Sequence, residues 1–466
     1  MRIARHRSIA LSRVAALASF AIASVWAAVS SAAPPELAVD KSRLENGLEV
    51  ILHEDHRTPI VTVNIWYHVG SKDEAPGKNG FAHLFEHMMF QGSKHVPEDA
   101  YFRMLERAGA SDINGTTNTD RTNYFETVPP GQLELALWLE SDRMGFLLDH
   151  VDQLTFAGQR DVVKNERRQR YENAPYGLTI MFIREQLFPK EHPYHLLTIG
   201  TPQDLDNASL DDVKGFFRQW YVPSNATLVV AGDIDKTKTK ALVDKYFGPV
   251  RGGPTPPRRP VPEVKLTGQK RLDVSAQVEL GRVYVSWPTP AFFQPGDAEL
   301  DMAAHVLSSG KTSRLYKRLV YDLQIAQDVN AYQGSQQLGS IFEIVATAAP
   351  GHTADELLKV IDEEVKKLAD APPADPELAR AKTSVRADAV FNVERNASRA
   401  DHLNSYNHFT GDPSYLAKDL EAHEKVTAAQ VKDAVTKYLP LDKRVVTVVT
   451  PNKAAPVCGR LDKVSP

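Results

Sequence analysis

Cysteine is almost absent. Cys458, near the C-terminus, is the single one in 466 residues. One thiol excludes an internal disulfide, so the core must hold without covalent staples. It also stands far from the upstream position that a bacterial lipid anchor needs. An excess of basic residues is missing too. The formal net charge is −4, which makes nucleic acid a poor partner. A complete phosphate loop is lacking. Gly310-Lys311-Thr312 has its ending, but His305 occupies the place where that motif needs glycine, which argues against ATP. With 42% hydrophobic and 24% charged residues the chain reads as soluble and globular, not as a disordered or multi-span membrane protein. Its length suits two domains of about 200 residues each.

Residues 1–33 differ from the rest. Arg2, Arg5, Arg7 and Arg13 make a basic start with no acid, and Val14 to Val29 follow as one apolar run. That run is short for a spanning helix, and it ends in small residues, as a secretory signal peptide does. Cleavage is expected near Ala32 or Ala33. It takes the net charge from −4 to −8, because four arginines leave with no acid. An exported, periplasmic protein of bacterial style is the expectation.

Residues 45–70 read as two strands punctuated by Asn46-Gly47 and Arg57-Thr58-Pro59. Helical patterns dominate 80–108 and 130–189, and 225–232 reads as a strand. The stretch from Gly248 to Val264, GPVRGGPTPPRRPVPEV, is then crowded with proline and glycine. Such a stretch cannot continue a helix or a central strand and reads as a linker. The expected division is one domain over 34–247, a linker over 248–268 and a homologous domain over 269–460. One constant offset relates the two halves. It lays the segment around Val213-Lys214 on that around Val431-Lys432, and it pairs His87 with His305 and Gly92 with Gly310. This indicates an internal duplication. At the same offset His83 becomes Asp301 and Glu86 becomes Ala304, so one copy alone keeps the chemistry.

That chemistry sits in Gly80 to Phe90, GFAHLFEHMMF. A helix turns about 100° per residue, so His83 and His87 share a face and Glu86 lies on the same stripe. Leu84, Phe85, Met88 and Met89 cover the other side. Two imidazoles and one further carboxylate can hold zinc and leave a position open for water. Bound zinc lowers the pKa of that water to about 7, and a neighbouring Glu can take its proton. A third ligand is required. Glu166 follows Val162 and Val163, which are expected to seat its helix in the core, with Arg167, Arg168 and Arg170 mostly solvated. Geometry on its own leaves Asp161 and Glu172 open as alternatives. His192 and His195 flank Pro193-Tyr194 and read as a structural loop, while His53, His56 and His95 read as solvent-facing.

The set of His-x-x-Glu-His, INGTTNTDRTNYFETVP and VVKNERRQR resembles the pitrilysin/insulinase family of zinc peptidases, the inverted-motif zincins. HPYHLLTIG, WYVPSNATLVVAGD and GKTSRLYKRLV extend the likeness over nearly the whole chain. The resemblance implies an α+β fold of two homologous domains, each a mostly antiparallel sheet packed with helices, arranged as a clam. It implies His83, His87 and Glu166 as ligands of one Zn2+ and Glu86 as general base. It also implies that the polar strand Asn114 to Tyr124 takes up peptide by strand addition, with Asn114 in contact.

Two departures from the family pattern stand out. Gln159 stands where many members carry a further Glu behind the metal ligands, so the site is less negative. Val320 and Gln327 stand where members complete in one chain hold a substrate-binding Arg and Tyr, while Arg314 and Tyr321 have the spacing out of register. The expectation is a zinc endopeptidase acting on peptides or unfolded segments as the zinc subunit of a heterodimer, its partner carrying the Arg/Tyr pair. A homodimer is the other arrangement, a non-catalytic scaffold subunit is the rival reading, and a zinc hydrolase of other bonds is a third.

Overall fold

The computed structural model describes residues 37–466, so the expected signal peptide lies outside the described residues. The apolar segments on either side of the Arg57-Thr58-Pro59 turn form β2 (Glu49–Glu54) and β3 (Val61–Tyr67). With β1 (Asp40–Arg43), β4 (Ser111–Thr117), β5 (Thr122–Val128) and β6 (Ala226–Gly232) they build a sheet of order β1-β2-β6-β3-β5-β4. A second sheet combines β7 (Lys270–Ala276), β8 (Arg282–Thr289), β9 (Ala326–Gly334), β10 (Ser340–Ala348), β11 (Val445–Pro451) and β12 (Arg460–Ser465) in the order β12-β7-β11-β8-β10-β9. Each sheet has one parallel pair, β2 with β6 and β7 with β11, among antiparallel neighbours. The fold is therefore α+β with two sheets of one topology, and residues 251–266 between them carry neither helix nor strand.

The helices repeat as the strands do. In the first half α1 (Phe81–Met88), α2 (Leu133–Phe146), α3 (Gln153–Arg167), α4 (Thr179–Leu187) and α5 (Leu210–Trp220) matter most for the site. In the second half the counterparts are α6 (Asp297–Ser308) for α1, α7 (Asp375–Asn392) for α3, α8 (Asn396–Thr410) for α4 and α9 (Ala428–Tyr438) for α5. The offset that takes Val213 to Val431 carries Leu210–Trp220 onto Ala428–Tyr438 end to end. The short polar caps explain the starts of this pair. Ser209 and Thr427 each accept the N–H three residues on, and Asp212 or Gln430 reaches back.

The halves exchange one helix. Phe182, Ile183 and Leu187 of α4 pack on Leu272, Val274, Val445 and Val449 of the second sheet. Ala400, Leu403 and Tyr406 of α8 pack on Ile51, Val229 and Ala231 of the first. Each sheet thus owes one covered face to the other half. The opposite face of the first sheet buries Val61, Val63 and Ile65 against Leu133 and Leu137 of α2 and against Leu84, Phe85 and Met88 of α1. The metal-motif helix is therefore seated on the core by the residues on its apolar side.

Three expectations about exposure change. Val162 is 44% exposed and only Val163 points into the core, because adjacent helical residues diverge by about 100°. Arg167 is buried, and its Nη1 donates to the Gly200 carbonyl. His53 is buried as well, with Nδ1 facing the Ala38 carbonyl of the segment that leads into β1.

Candidate metal centre

The site begins with how α1 is held at its start. Gly80, its cap residue, has φ +98 and no side chain to satisfy the free N–H groups of the first turn. Glu74 does so from upstream. Its buried carboxylate accepts from Gly80 N at 3.0 Å, Ala82 N at 2.8 Å and Asn79 Nδ2 at 3.0 Å. Burial pushes this carboxyl up to about 8, against the three donors that pull it down. Gly80 also meets Gly200 backbone to backbone. A Cβ on Gly80 would lie 2.9 Å from Gly200 Cα, and one on Gly200 would lie 2.4 Å from the Asn79 carbonyl oxygen. Since Arg167 of α3 donates to the Gly200 carbonyl at 2.6 Å, one loop ties the starting point of α1 to the end of α3.

Those ties bring Glu166 of α3 to the two histidines. Glu166 Oε2 lies 3.1 Å from His87 Nε2 and 3.7 Å from His83 Nε2. His83, His87 and Glu166 are, among the described residues, the one group of three possible ligands whose atoms lie within 4.8 Å of one another. Zinc bonds of about 2.0–2.1 Å in tetrahedral arrangement put ligand atoms about 3.4 Å apart, so both distances fit a zinc ion. Asp161 is exposed, and Glu172 pairs with Arg167 at 3.1 Å, so neither alternative joins the group.

The protonation states fit as well. Burial, with His87 beside it, holds the His83 imidazole below its ordinary range, leaving it neutral with a lone pair to give. Burial acts to raise Glu166, but the hydrogen bond with His87 and the Arg170 charge outweigh it and keep the carboxyl below its usual range. Arg170, exposed as expected, also reaches Glu166 Oε1 at 2.9 Å. Glu86 stands apart from the ligand group. Burial raises its carboxyl, while Thr117 Oγ1 donates to Glu86 Oε2 at 2.6 Å.

Thr117 belongs to β4, the free edge of the first sheet. Asn114 lies on the same strand, exposed, with Oδ1 accepting from Gly115 N at 2.9 Å. Gln159 sits two turns before Glu166 on α3, half-buried, and no hydrogen bond joins it to His83, His87 or Glu166 among the described residues. Reading the sequence missed Glu74 and Thr117. Glu74 caps from outside the usual Ncap-to-N3 spacing, and Thr117 was hidden in a strand noted only for its edge. Arg314 forms a bidentate pair with Glu377, both contacts at 2.8 Å, and Tyr321 is 74% exposed.

In the second half the corresponding place is filled differently. Asp301, at the position of His83, lies 3.2 Å from His423 Nε2, and Asp419 lies 3.2 Å from His423 Nδ1. Burial acts to lower His423, but the two carboxylates outweigh it and raise it to about 10. A charged imidazolium between two acids thus occupies the degenerate copy.

Known proteins match this architecture. Residues 49–192 match the family model described as insulinase (peptidase family M16), and residues 207–385 match the one described as the peptidase M16 inactive domain. The chain is 30% identical over 370 residues to the zinc protease PqqE of Helicobacter pylori, covering 78% of this chain and 82% of that one. It is 26% identical to an uncharacterized zinc protease of Mycobacterium leprae, covering 84% and 87%. The crystal structure of a protease from Helicobacter pylori superposes with a TM-score of 0.84 at 27% identity, covering 90% of this chain and all of that one. With the inverted motif on α1, the carboxylate of α3 beside it and both halves matched in order, this chain belongs to the M16, or insulinase, family of peptidases.

Proposed function

We propose that the protein is a zinc endopeptidase that hydrolyses peptides or unfolded segments. The observation that carries the reading is the donor set of His83, His87 and Glu166, drawn from two helices at zinc spacing, with Glu86 beside it and not part of it. Bound there, zinc would supply Lewis acidity toward a peptide carbonyl and lower the pKa of a water molecule to about 7. Glu86 Oε1, which Thr117 leaves free, accepts the proton of the attacking water and then delivers it to the leaving amine. The free edge of β4 holds the substrate backbone in extended form by ladder hydrogen bonds, with Asn114 at its middle. Gln159 acts behind the ligands by hydrogen bonding through water rather than by charge.

The test is cleavage of a quenched fluorescent peptide library by the zinc-loaded chain, with Glu86→Gln and a chelated sample alongside. Activity below the full rate is expected in the first and none in the other two, and silence of the zinc-loaded chain points to the missing Arg/Tyr half. A Glu86→Gln variant that cleaves at the wild-type rate would sink the assignment.

Val320 and Gln327 support a heterodimer in which a related subunit supplies the Arg/Tyr pair. Full turnover by the isolated chain, shown free of any partner, rules that out. The scaffold reading rests on the same two residues, and it predicts no cleavage even with such a partner added. The basic and apolar N-terminus supports export to the periplasm, with a mature chain starting after Ala32 or Ala33, as N-terminal sequencing would read.

A further inference from the structure

The edge strand β4 has two faces, and the metal centre uses one. Thr117 points to Glu86, and a Cβ on Gly115 would point at Phe90 and Tyr124 in the core on the same side. Thr116 points the other way, into a cavity of about 440 Å³ between the outer face of the sheet and the start of α8. A peptide added to β4 alternates its side chains in the same manner. Every second side chain therefore turns from the metal toward this cavity.

The chemistry of the cavity is balanced and incomplete. Its charged lining residues are Asp112, Arg121, Arg395 and Asp401, two of each sign. Asp112 and Arg395 pair with each other at 3.3 Å on the rim. Arg121 and Asp401 make no ion pair among the described residues. Arg121 Nη1 donates to the Thr116 carbonyl at 2.9 Å, its Nε is buried without an acceptor, and its Nη2 makes no hydrogen bond there. Asp401 Oδ1 accepts from Asn64, Trp66 and Asn123, while Oδ2 accepts from nothing among the described residues. A free donor and a free acceptor thus share a site with no net charge. A carboxylate would gain Arg121 but face Asp401, and an ammonium the reverse. A carboxamide satisfies both, its oxygen accepting from Arg121 and its nitrogen donating to Asp401.

We infer that this cavity is a substrate subsite that selects a glutamine or asparagine side chain, on the face of the bound peptide turned away from the metal. The inference rests on the peptidase reading, because it needs a peptide on β4. An unpaired polar group in such a site penalises any side chain that leaves it so, which is the basis of the selection.

The experiment is a positional-scanning peptide library cut by the zinc-loaded chain and read by mass spectrometry. Gln or Asn is expected to be enriched about tenfold over Leu, Glu and Lys at one position and not at its two neighbours, as one hydrogen bond to a charged group gives. The enrichment should vanish in both Arg121→Gln and Asp401→Asn. The melting temperatures of these variants report whether they fold, and either folded one suffices. Absence of any preference, a preference for Glu or Lys, or enrichment that persists in a folded variant overturns the subsite. If zinc is bound and nothing is cut, the isolated chain fails as a peptidase without its Arg/Tyr partner, whatever the subsite does. The subsite is then judged by anisotropy of matched Gln and Leu peptides on the Glu86→Gln chain, where equal or undetectable affinity overturns it and tighter Gln binding upholds it.

Discussion

Glu74 lies outside the ligand set, yet it should control the metal centre. Replacing it by alanine strands the N–H groups of Gly80 and Ala82, both inside the protein and both bonded now only to this carboxylate at the first turn of α1. Each buried donor left without a partner costs about 1–3 kcal/mol, so the pair costs about 2–6 kcal/mol. Glu74→Gln keeps one acceptor oxygen and should lose less. Urea unfolding of the metal-free chain measures the loss, and competition with a chromophoric chelator measures zinc affinity. Affinity should fall because His83 and His87 ride on the helix that Glu74 holds. The carboxyl also sets a pH dependence. Burial raises it from its usual 4.5 to about 8, so the folded chain holds a proton that the unfolded chain releases. Its contribution to stability therefore falls as pH rises from 4.5 to 8. The stability advantage of wild type over Glu74→Gln should shrink between pH 5 and pH 8. A Glu74→Ala chain that loses less than about 1 kcal/mol and binds zinc as tightly as wild type would refute the reasoning.

Thr117→Val removes the hydroxyl that donates to Glu86, and it should lower kcat by about 10- to 100-fold with KM little changed, whereas Thr117→Ser should keep most of the rate. Steady-state kinetics on one fluorescent peptide decides this, and a wild-type kcat in the valine variant removes Thr117 from the positioning of Glu86. His423→Gln leaves Asp301 and Asp419 without their shared cation, and it should cost about 1–3 kcal/mol, tempered by the solvent that still reaches Asp301. Because His423 is raised to about 10, its contribution is complete below pH 6.5 and is lost as pH climbs through 10. Thermal melts of wild type should therefore decline from pH 7 to pH 10 more steeply than those of the variant, and parallel curves would count against the buried imidazolium.

The duplication was legible because its marks are local. A constant offset that aligns one helix, one corner and one strand needs only the chain itself, and both sheets repeat one strand order. The exchange of α4 and α8 was not legible. An apolar helix face announces that a sheet will cover it but not which of two similar sheets, and chain order suggested the nearer one. The burial of His53 and Arg167 escaped for a like reason, since each is enclosed by segments distant in sequence or by a carbonyl 33 residues away.

By itself the sequence determined that two imidazoles and a glutamate share one helical stripe, because a spacing of three and four residues is a property of the helix. It also determined that only one half could use them. Tertiary structure decided the rest of the site. It chose Glu166 over its acidic neighbours by bringing α3 against α1, across 79 residues from His87. It recruited Glu74 and Thr117, whose side chains have meaning only once a helix start and a sheet edge stand beside them. Local periodicity is written in dihedral angles and can be read along the chain. The meeting of remote carboxylates, hydroxyls and N–H groups depends on packing, which no short window contains.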